Sequence, residues 1–227
     1  MTTKNDDPSV RFDWVRNDRT GVPEVVFCEN KTVEQLSSII AMAKKQAYPL
    51  LLTRLDAEKA AQLALADLDF EPLSRTGLVG GPAKVRFQGP VLAIVGAGTS
   101  DLPVMMEAKR SAEYLGIETT LFTDVGVAGL WRLLDAMPKI SRYSVIIAVA
   151  GMEGALFSVL AGLVSAPVIA VPTSVGYGVA AGGKAALSSA LSACAPGVMA
   201  VNIDNGFGAA AAAAKILALT RSEDLTQ

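Results

Sequence analysis

From Val91 onward, apolar runs just long enough for one buried strand alternate with short glycine-bearing loops and helix-period stretches, and the cycle repeats five times. The runs predict strands near residues 91–95, 118–123, 144–149, 167–171 and 198–202, with helices opening near Asp101, Gly126, Gly154, Gly182 and Gly206. Regular alternation of strand and helix calls for a parallel sheet with right-handed crossovers and helices on both faces. Residues 91–220 are therefore expected to form a doubly wound α/β domain of the three-layer, Rossmann or flavodoxin-like kind.

The rhythm before Val91 is different. Glu24–Cys28 reads as a strand; Thr32 with Gln35 three positions later makes a capping box, and Val33, Leu36, Ile39, Ile40 and Ala43 recur at helical spacing behind it. Pro49–Leu55 reads as a second strand, and Asp56 opens a helix expected to run to about Leu68. Residues 11–75 are thus expected as a smaller N-terminal α+β unit. Pro72, Gly77, Gly80, Gly81, Pro82, Gly89 and Pro90 punctuate the stretch between the two units, so residues 76–90 are expected as a linker with room for one short strand. The first dozen residues are polar and expected to be mobile.

Open parallel sheets bind ligands beyond the carboxyl ends of their strands, so the loops at 96–101, 124–129, 150–155, 172–178 and 202–208 are expected to build one site together. In the first, Gly96 and Gly98 let the backbone curl close to a ligand, Thr99 and Ser100 offer hydroxyls, and Pro103 sits in the first turn of the next helix. Free amides at such a helix start suit a phosphate. A plain turn with Ser100 or Asp101 as helix cap fits the same residues. Asp101 also stands where the dinucleotide G-x-G-x-x-G pattern would hold its third glycine. Glu153 lies between Gly151 and Gly154 directly after the very apolar Val145–Val149 run, an unfavourable place for a charge unless it has a partner or a task.

Composition narrows the chemistry. The 227 residues include no histidine and only two cysteines, Cys28 and Cys194. Thiol–imidazole catalysis is therefore excluded, and a structural zinc site lacks its usual ligands. Cys194 is expected at the end of the fourth helix, just before Pro196 and Gly197. Free cysteine is commonly a small buried hydrophobe, and a helix C-terminus disfavours a thiolate. As a nucleophile it needs a positive charge brought to it, and a cationic substrate ring would supply one. Asp101, Asp124 and Asp204 fall in or beside the loops and are candidate ligands for Mg2+ together with substrate phosphates, with capping and turn chemistry as the alternative.

The net charge of −2 without a basic cluster argues against nucleic acid as partner. Hydrophobic residues make up 51% of the chain, yet no stretch reaches the roughly 18–20 uninterrupted apolar residues of a membrane span. The start, MTTKNDDPSV, shows no secretion signal, and the cytoplasm is the expected location. A small-molecule ligand is the expected partner. The alanine- and glycine-rich last third, with alanine throughout 209–214, permits the close helix packing of an oligomer core.

Taken in order, the loops resemble those of the LarB family, the carboxylase/hydrolase that begins synthesis of the nickel-pincer nucleotide cofactor. The matching segments are GTSDLPV at 98–104, DVGVAGLWRLL at 124–134, AGMEGALFSVLAGLV at 150–164, PVIAVPTSVGYG at 167–178 and VNIDNGFGAA at 201–210, and Arg16, Arg19, Gly21, Pro23 and Glu24 look like that family's N-terminal start. More distantly, the second unit resembles the aminoimidazole ribonucleotide carboxylase/mutase family, whose subunits form octamers. The resemblance implies carboxylation of the pyridinium ring of nicotinic acid adenine dinucleotide at C5, with CO2 or bicarbonate as co-substrate, then phosphoanhydride hydrolysis to pyridinium-3,5-biscarboxylic acid mononucleotide and AMP. It also implies a homo-octamer. The family's cysteine aligns with Cys194 and its acidic residue with Glu153. Loop placement and resemblance together make Gly98, Thr99, Ser100, Asp101, Asp124, Gly126, Gly151, Met152, Thr173, Ser174, Tyr177 and Asn205 the substrate-binding candidates.

The implied chemistry suits the residues. An electron-poor pyridinium does not attack CO2, but thiolate addition at C4 makes C5 nucleophilic, and Glu153, its basicity raised by apolar surroundings, is the candidate for taking the C5 proton. Family members often carry histidine where this chain reads Asp13-Trp14-Val15-Arg16 and Leu130-Trp131-Arg132. Trp131 is free either to stack on a flat ring or to serve an interface. A ribonucleotide mutase would use a histidine as proton shuttle, and this chain has none. A nucleotide-binding regulatory oligomer that kept the loops without turnover is the non-enzymatic alternative.

Overall fold

The structure, a computed structural model, describes residues 10–81 and 83–223. The expectation of a mobile start falls mainly on residues 1–9, and part of the expected linker on Pro82; both lie outside the described residues. The chain divides into two compact units, residues 1–83 and 84–227.

In the first unit, a short helix α1 (Arg16–Thr20) ends at Gly21, whose φ of 74° is the left-handed cap that glycine adopts without strain. Strand β1 (Val26–Phe27) leads to helix α2 (Val33–Lys45), which opens with the expected Thr32–Gln35 capping box. Strand β2 (Leu50–Thr53) comes next, then α3 (Ala57–Leu63), where the Asp56 carboxylate accepts from the Lys59 N–H at 2.7 Å. The chain then forms an antiparallel hairpin, β3 (Leu68–Glu71) and β4 (Thr76–Val79). The sheet order is β1-β2-β4-β3, with β1 and β2 parallel. The helix expected to reach about Leu68 ends at Leu63 and gives way to β3, and the stretch read as a linker with room for one short strand holds β4 and, from Phe87, the start of the next strand. Glu71 holds the turn by accepting from the Ser74 N–H and hydroxyl, and a Cβ on Gly77 would meet Leu68 at 2.9 Å, so the glycine there permits close packing rather than flexibility. Leu36, Ile39, Ile40 and Ala43 of α2 pack on Val26, Leu50 and Leu52, with Val10, Phe12 and Trp14 against the same core.

In the second unit the expected five-fold alternation is present: β5 (Phe87–Gly96), α4 (Leu102–Tyr114), β6 (Ile117–Phe122), α5 (Leu130–Ile140), β7 (Val145–Ala150), α6 (Ala155–Ala161), β8 (Val168–Pro172), α7 (Lys184–Leu191), β9 (Val198–Ala200) and α8 (Gly206–Glu223). All pairings are parallel, in the order β6-β5-β7-β8-β9, which is the flavodoxin-like arrangement. Helices α4 and α8 cover one face and α5, α6 and α7 the other. Both faces being covered, β7 and β8 are buried along their whole length, which is why their sequences are unbroken apolar runs.

Candidate functional site

The chain steps from β5 to β6 on one side and then crosses to β7 on the other, so the topological switch point lies between the loops after β5 and β7. Backbone bonds lace all five carboxyl-edge loops together. Ala97 N–H donates to Val149 O at 2.9 Å, Val125 N–H to Gly96 O at 3.1 Å, Thr173 N–H to Ala150 O at 2.9 Å, Met152 N–H to Val175 O at 2.8 Å and Asp204 N–H to Pro172 O at 2.8 Å. The edge is thus one connected surface.

Asp101 lies at its centre. Only 3% exposed, it ends a 3-10 turn (Thr99–Asp101) that leads into α4. One carboxylate oxygen accepts from the Thr173 hydroxyl at 2.7 Å and the other from the Gly98 N–H at 2.9 Å, and the Gly151 N–H bonds to the same group. Burial pushes the carboxyl above its ordinary value against the opposing pull of these three donors. Asp101 therefore ties the loops after β5, β7 and β8 to one another. Thr173 is fully buried with it, and buried Gly126 packs so closely that a Cβ would come within 2.6 Å of Ala97 O.

The other acids are committed in similar ways. Asp124 forms an ion pair with Arg132, and Asp204 accepts from the Ser174 N–H at 2.8 Å. Both adopt left-handed φ values, 56° and 54°, a conformation that aspartate tolerates better than most residues. Asn205 caps α8 by accepting from the Gly208 N–H at 2.8 Å. Among the described residues no three of His, Cys, Asp and Glu are placed to hold a metal. Asp101, Asp124 and Asp204 do not fit as a joint Mg2+ ligand set: turn, cap and ion-pair chemistry accounts for each of them.

Six of the candidates face solvent at this edge: Thr99, Ser100, Met152, Glu153, Ser174 and Tyr177. Gly98 and Gly151 are half-buried between them and the framework. Met152 holds φ at 52°, a strained conformation for a long side chain, kept by its backbone bond to Val175. The apolar surroundings expected for Glu153 are absent. The buried strand ends at Ala150, and the left-handed turn at Met152 carries the next carboxylate out to solvent.

Cys194 stands elsewhere. It is exposed and lies in the connection between α7 and β9. Gly197 O, three residues on, accepts from the N–H of Val168, the first residue of β8, so this connection runs along the amino edge of the sheet. The two residues aligned with the implied chemistry are therefore on opposite edges of a single chain. Cys28, by contrast, is wholly buried in the first unit, and burial pushes its thiol up to about 12. Trp131 is exposed on α5; Trp14 packs with Phe12 and Tyr48 in an aromatic cluster.

Sequence reasoning missed two cations at the carboxyl edge. Arg132 was obscured by its position eight residues after Asp124, across the Gly126–Gly129 turn that brings the two together. Lys184, exposed, is the first residue of α7, against the usual preference for an acid there, and that inversion was the available signal.

Comparison with known proteins gives two domain matches. The family model described as LarB/PurE-like N-terminal domain matches residues 5–80, and that of AIR carboxylase matches residues 91–227. A curated relative, uncharacterized protein MJ0165 of Methanocaldococcus jannaschii, is 39% identical over 210 residues, spanning 88% of this chain and 80% of the relative. Similar solved structures include Treponema denticola PurE2-S38D at 16% identity and Treponema denticola PurE at 17%, each covering 61% of this chain and 95% of the solved chain with a TM-score of 0.43.

Proposed function

From the premise that the chain belongs to the LarB family, and so to a family of carboxylases, we propose that it carboxylates the pyridinium ring of nicotinic acid adenine dinucleotide at C5 and hydrolyses the phosphoanhydride, releasing pyridinium-3,5-biscarboxylic acid mononucleotide and AMP. The observation that carries this reading is the joining, in one chain, of a LarB/PurE-like N-terminal domain to an AIR carboxylase domain. The absence of histidine favours it over a ribonucleotide mutase that shuttles its proton through imidazole.

The Cys194 thiolate adds to C4 of the pyridinium, and the ring becomes a dihydropyridine whose C5 attacks CO2. Glu153 takes the C5 proton, the C4–S bond breaks with its electron pair returning to sulfur, and aromaticity is restored. The ring's positive charge draws the thiolate to it. Thr99, Ser100 and Ser174 offer exposed hydroxyls, and Lys184 an exposed cation, to the phosphates and sugars of the dinucleotide.

Purified protein incubated with nicotinic acid adenine dinucleotide and bicarbonate, with and without Mg2+, is expected to yield the biscarboxylated mononucleotide and AMP by mass spectrometry. The Cys194→Ala protein is expected to yield neither. Unchanged substrate under conditions where it demonstrably binds would overturn the reading in favour of a binding or regulatory protein. Carboxylation by folded Cys194→Ala would remove the covalent route.

A further inference from the structure

We infer that the cavity beside the edge strand β6 is a second ligand site, and that it takes a nucleoside monophosphate whose base carries an exocyclic amine. The cavity measures about 670 Å³, within the roughly 300–1,000 Å³ of small-molecule sites. None of its lining residues belongs to the five carboxyl-edge loops. The inference therefore stands apart from the proposed reaction and goes beyond it.

Topology opens the space. β6 stands at one edge of the sheet, and α5 leaves it to cross β5 and enter β7. Leu133 and Ile140 of α5 are buried with Ala93 and Val95 of β5 and with Ile146 and Ala148 of β7, so the helix rests on those two strands. Glu118, Thr120 and Phe122 share one face of β6 by the two-residue period of a strand; Phe122 packs toward the α5 core, while Glu118 and Thr120 stay exposed. The neighbouring strand widens the opening. Pairing passes from Phe87–Ile117 directly to Leu92–Thr119, so β5 bulges between them. Gly89 in that bulge has a φ of 84°, its N–H donates to the Glu118 carboxylate at 2.9 Å, and the Pro90 carbonyl accepts from the Ser144 N–H at 3.2 Å. The bulge is thus pinned on both sides, and Gly89 and Pro90 form a fixed wall of the cavity.

The chemistry of the walls selects the ligand. Lys139 in the last turn of α5 and Arg142 in the turn after it bring two cations to the cavity. The negative end of α5 accounts for basic residues at that place, but not for both lining one cavity beside an aromatic pair. Neither cation has an ion-pair partner among the described residues. Phe122 and Tyr143 meet edge to face with ring centroids 5.9 Å apart, and both are half-buried, so each leaves ring surface to the cavity. Paired cations suit a phosphate, and ring and proline surface suit a flat base. Glu118 spends one carboxylate oxygen on the Gly89 N–H, which leaves the other to accept from an exocyclic amine and to repel a second carboxylate. An aminated base is thereby favoured over a carboxylated ring such as that of nicotinic acid mononucleotide.

Photolabelling of the full chain with 8-azido-AMP, followed by peptide mass mapping, tests the assignment. Label is expected on the peptides that carry Phe122 or Tyr143, displaced by AMP but not by nicotinic acid mononucleotide or inorganic phosphate at the same concentration. Lys139→Ala combined with Arg142→Ala is expected to weaken AMP at this site about 10-fold, read from the concentration dependence of labelling there, with any label on the carboxyl-edge loops unchanged. Both side chains are exposed, and circular dichroism establishes that the double variant is folded, with Arg142→Ala alone as the replacement if it is not. Glu118→Gln is expected to let nicotinic acid mononucleotide compete. Label confined to the carboxyl-edge loops, or undiminished at Phe122 and Tyr143 in the double variant, would sink the inference. Displacement by nicotinic acid mononucleotide or phosphate from wild type would overturn the choice of ligand. A double variant that sediments more slowly, with wild type unlabelled at the cavity, would give the space to a second copy of the chain instead. None of these readouts needs turnover, so failure of the proposed reaction leaves them intact.

Discussion

Asp101 and the two cysteines show how far residue identity is from residue role. Asp101 read as a ligand-site acid, yet its oxygens are occupied by Thr173 and Gly98, so its contribution is to hold the loops in register. Asp101→Ala leaves a buried hydroxyl and two loop amides without their acceptor, and is expected to cost about 1–3 kcal/mol, read as a fall of about 3–10 °C in Tm by scanning calorimetry. Cys28 is a buried neutral thiol. Its raised pKa favours the protonated form in the folded state, so its contribution to stability is complete below the ordinary value of 9.0 and is lost as pH rises toward about 12. Wild type is expected to lose up to about 1.4 kcal/mol per pH unit more than Cys28→Ala between about pH 9 and 11 in urea titrations, with carboxylation at neutral pH unaffected by the substitution. Glu153 was legible as an isolated acid beyond an apolar strand, but its exposure was not, because one left-handed residue at Met152 decides which way the loop turns.

At the scale of elements, strand, loop and helix were legible from Val91 onward because a fully covered parallel strand must be continuously apolar and must end in a turn, whereas residues 87–90, read as linker, are the start of β5. The β3–β4 hairpin was not. Pro72 and Gly77 within it carry the same signal as a linker, and the alternation in Leu68–Glu71 is too short to decide against one. The loop after β7 shows what the carboxyl edge demands of its glycines. A Cβ at Gly151 would fall 2.2 Å from Val175 O and 2.7 Å from the Thr173 hydroxyl, against backbone that already holds Met152. Gly151→Ala is expected to destabilise by about 1–3 kcal/mol and, by displacing Glu153 and the β8 loop, to lower carboxylation on the order of 100-fold. Thermal denaturation and single-turnover product formation would check the two effects separately.

For the whole molecule, the core of the first unit and the α5–α6–α7 core of the second share no residue. Residues 84–227 produced alone are expected to retain the parallel-sheet domain and to unfold in one cooperative transition, seen by near- and far-ultraviolet circular dichroism; a broad, non-coincident transition would show that this domain depends on the first unit. Among the described residues no helix is long and apolar enough to cross a membrane. The order of letters by itself determined the number of second-unit strands, their parallel winding and the edge where the loops gather, because hydrophobic period and glycine punctuation are local properties of the chain. Only the tertiary structure decided that Asp101 is a tie between loops, that Asp124 and Asp204 are turn residues, and that Cys194 and Glu153 stand on opposite edges. Those outcomes depend on which strand lies beside which and on where each helix delivers the chain, and residues 41 positions apart in sequence carry no local trace of the sheet that separates them.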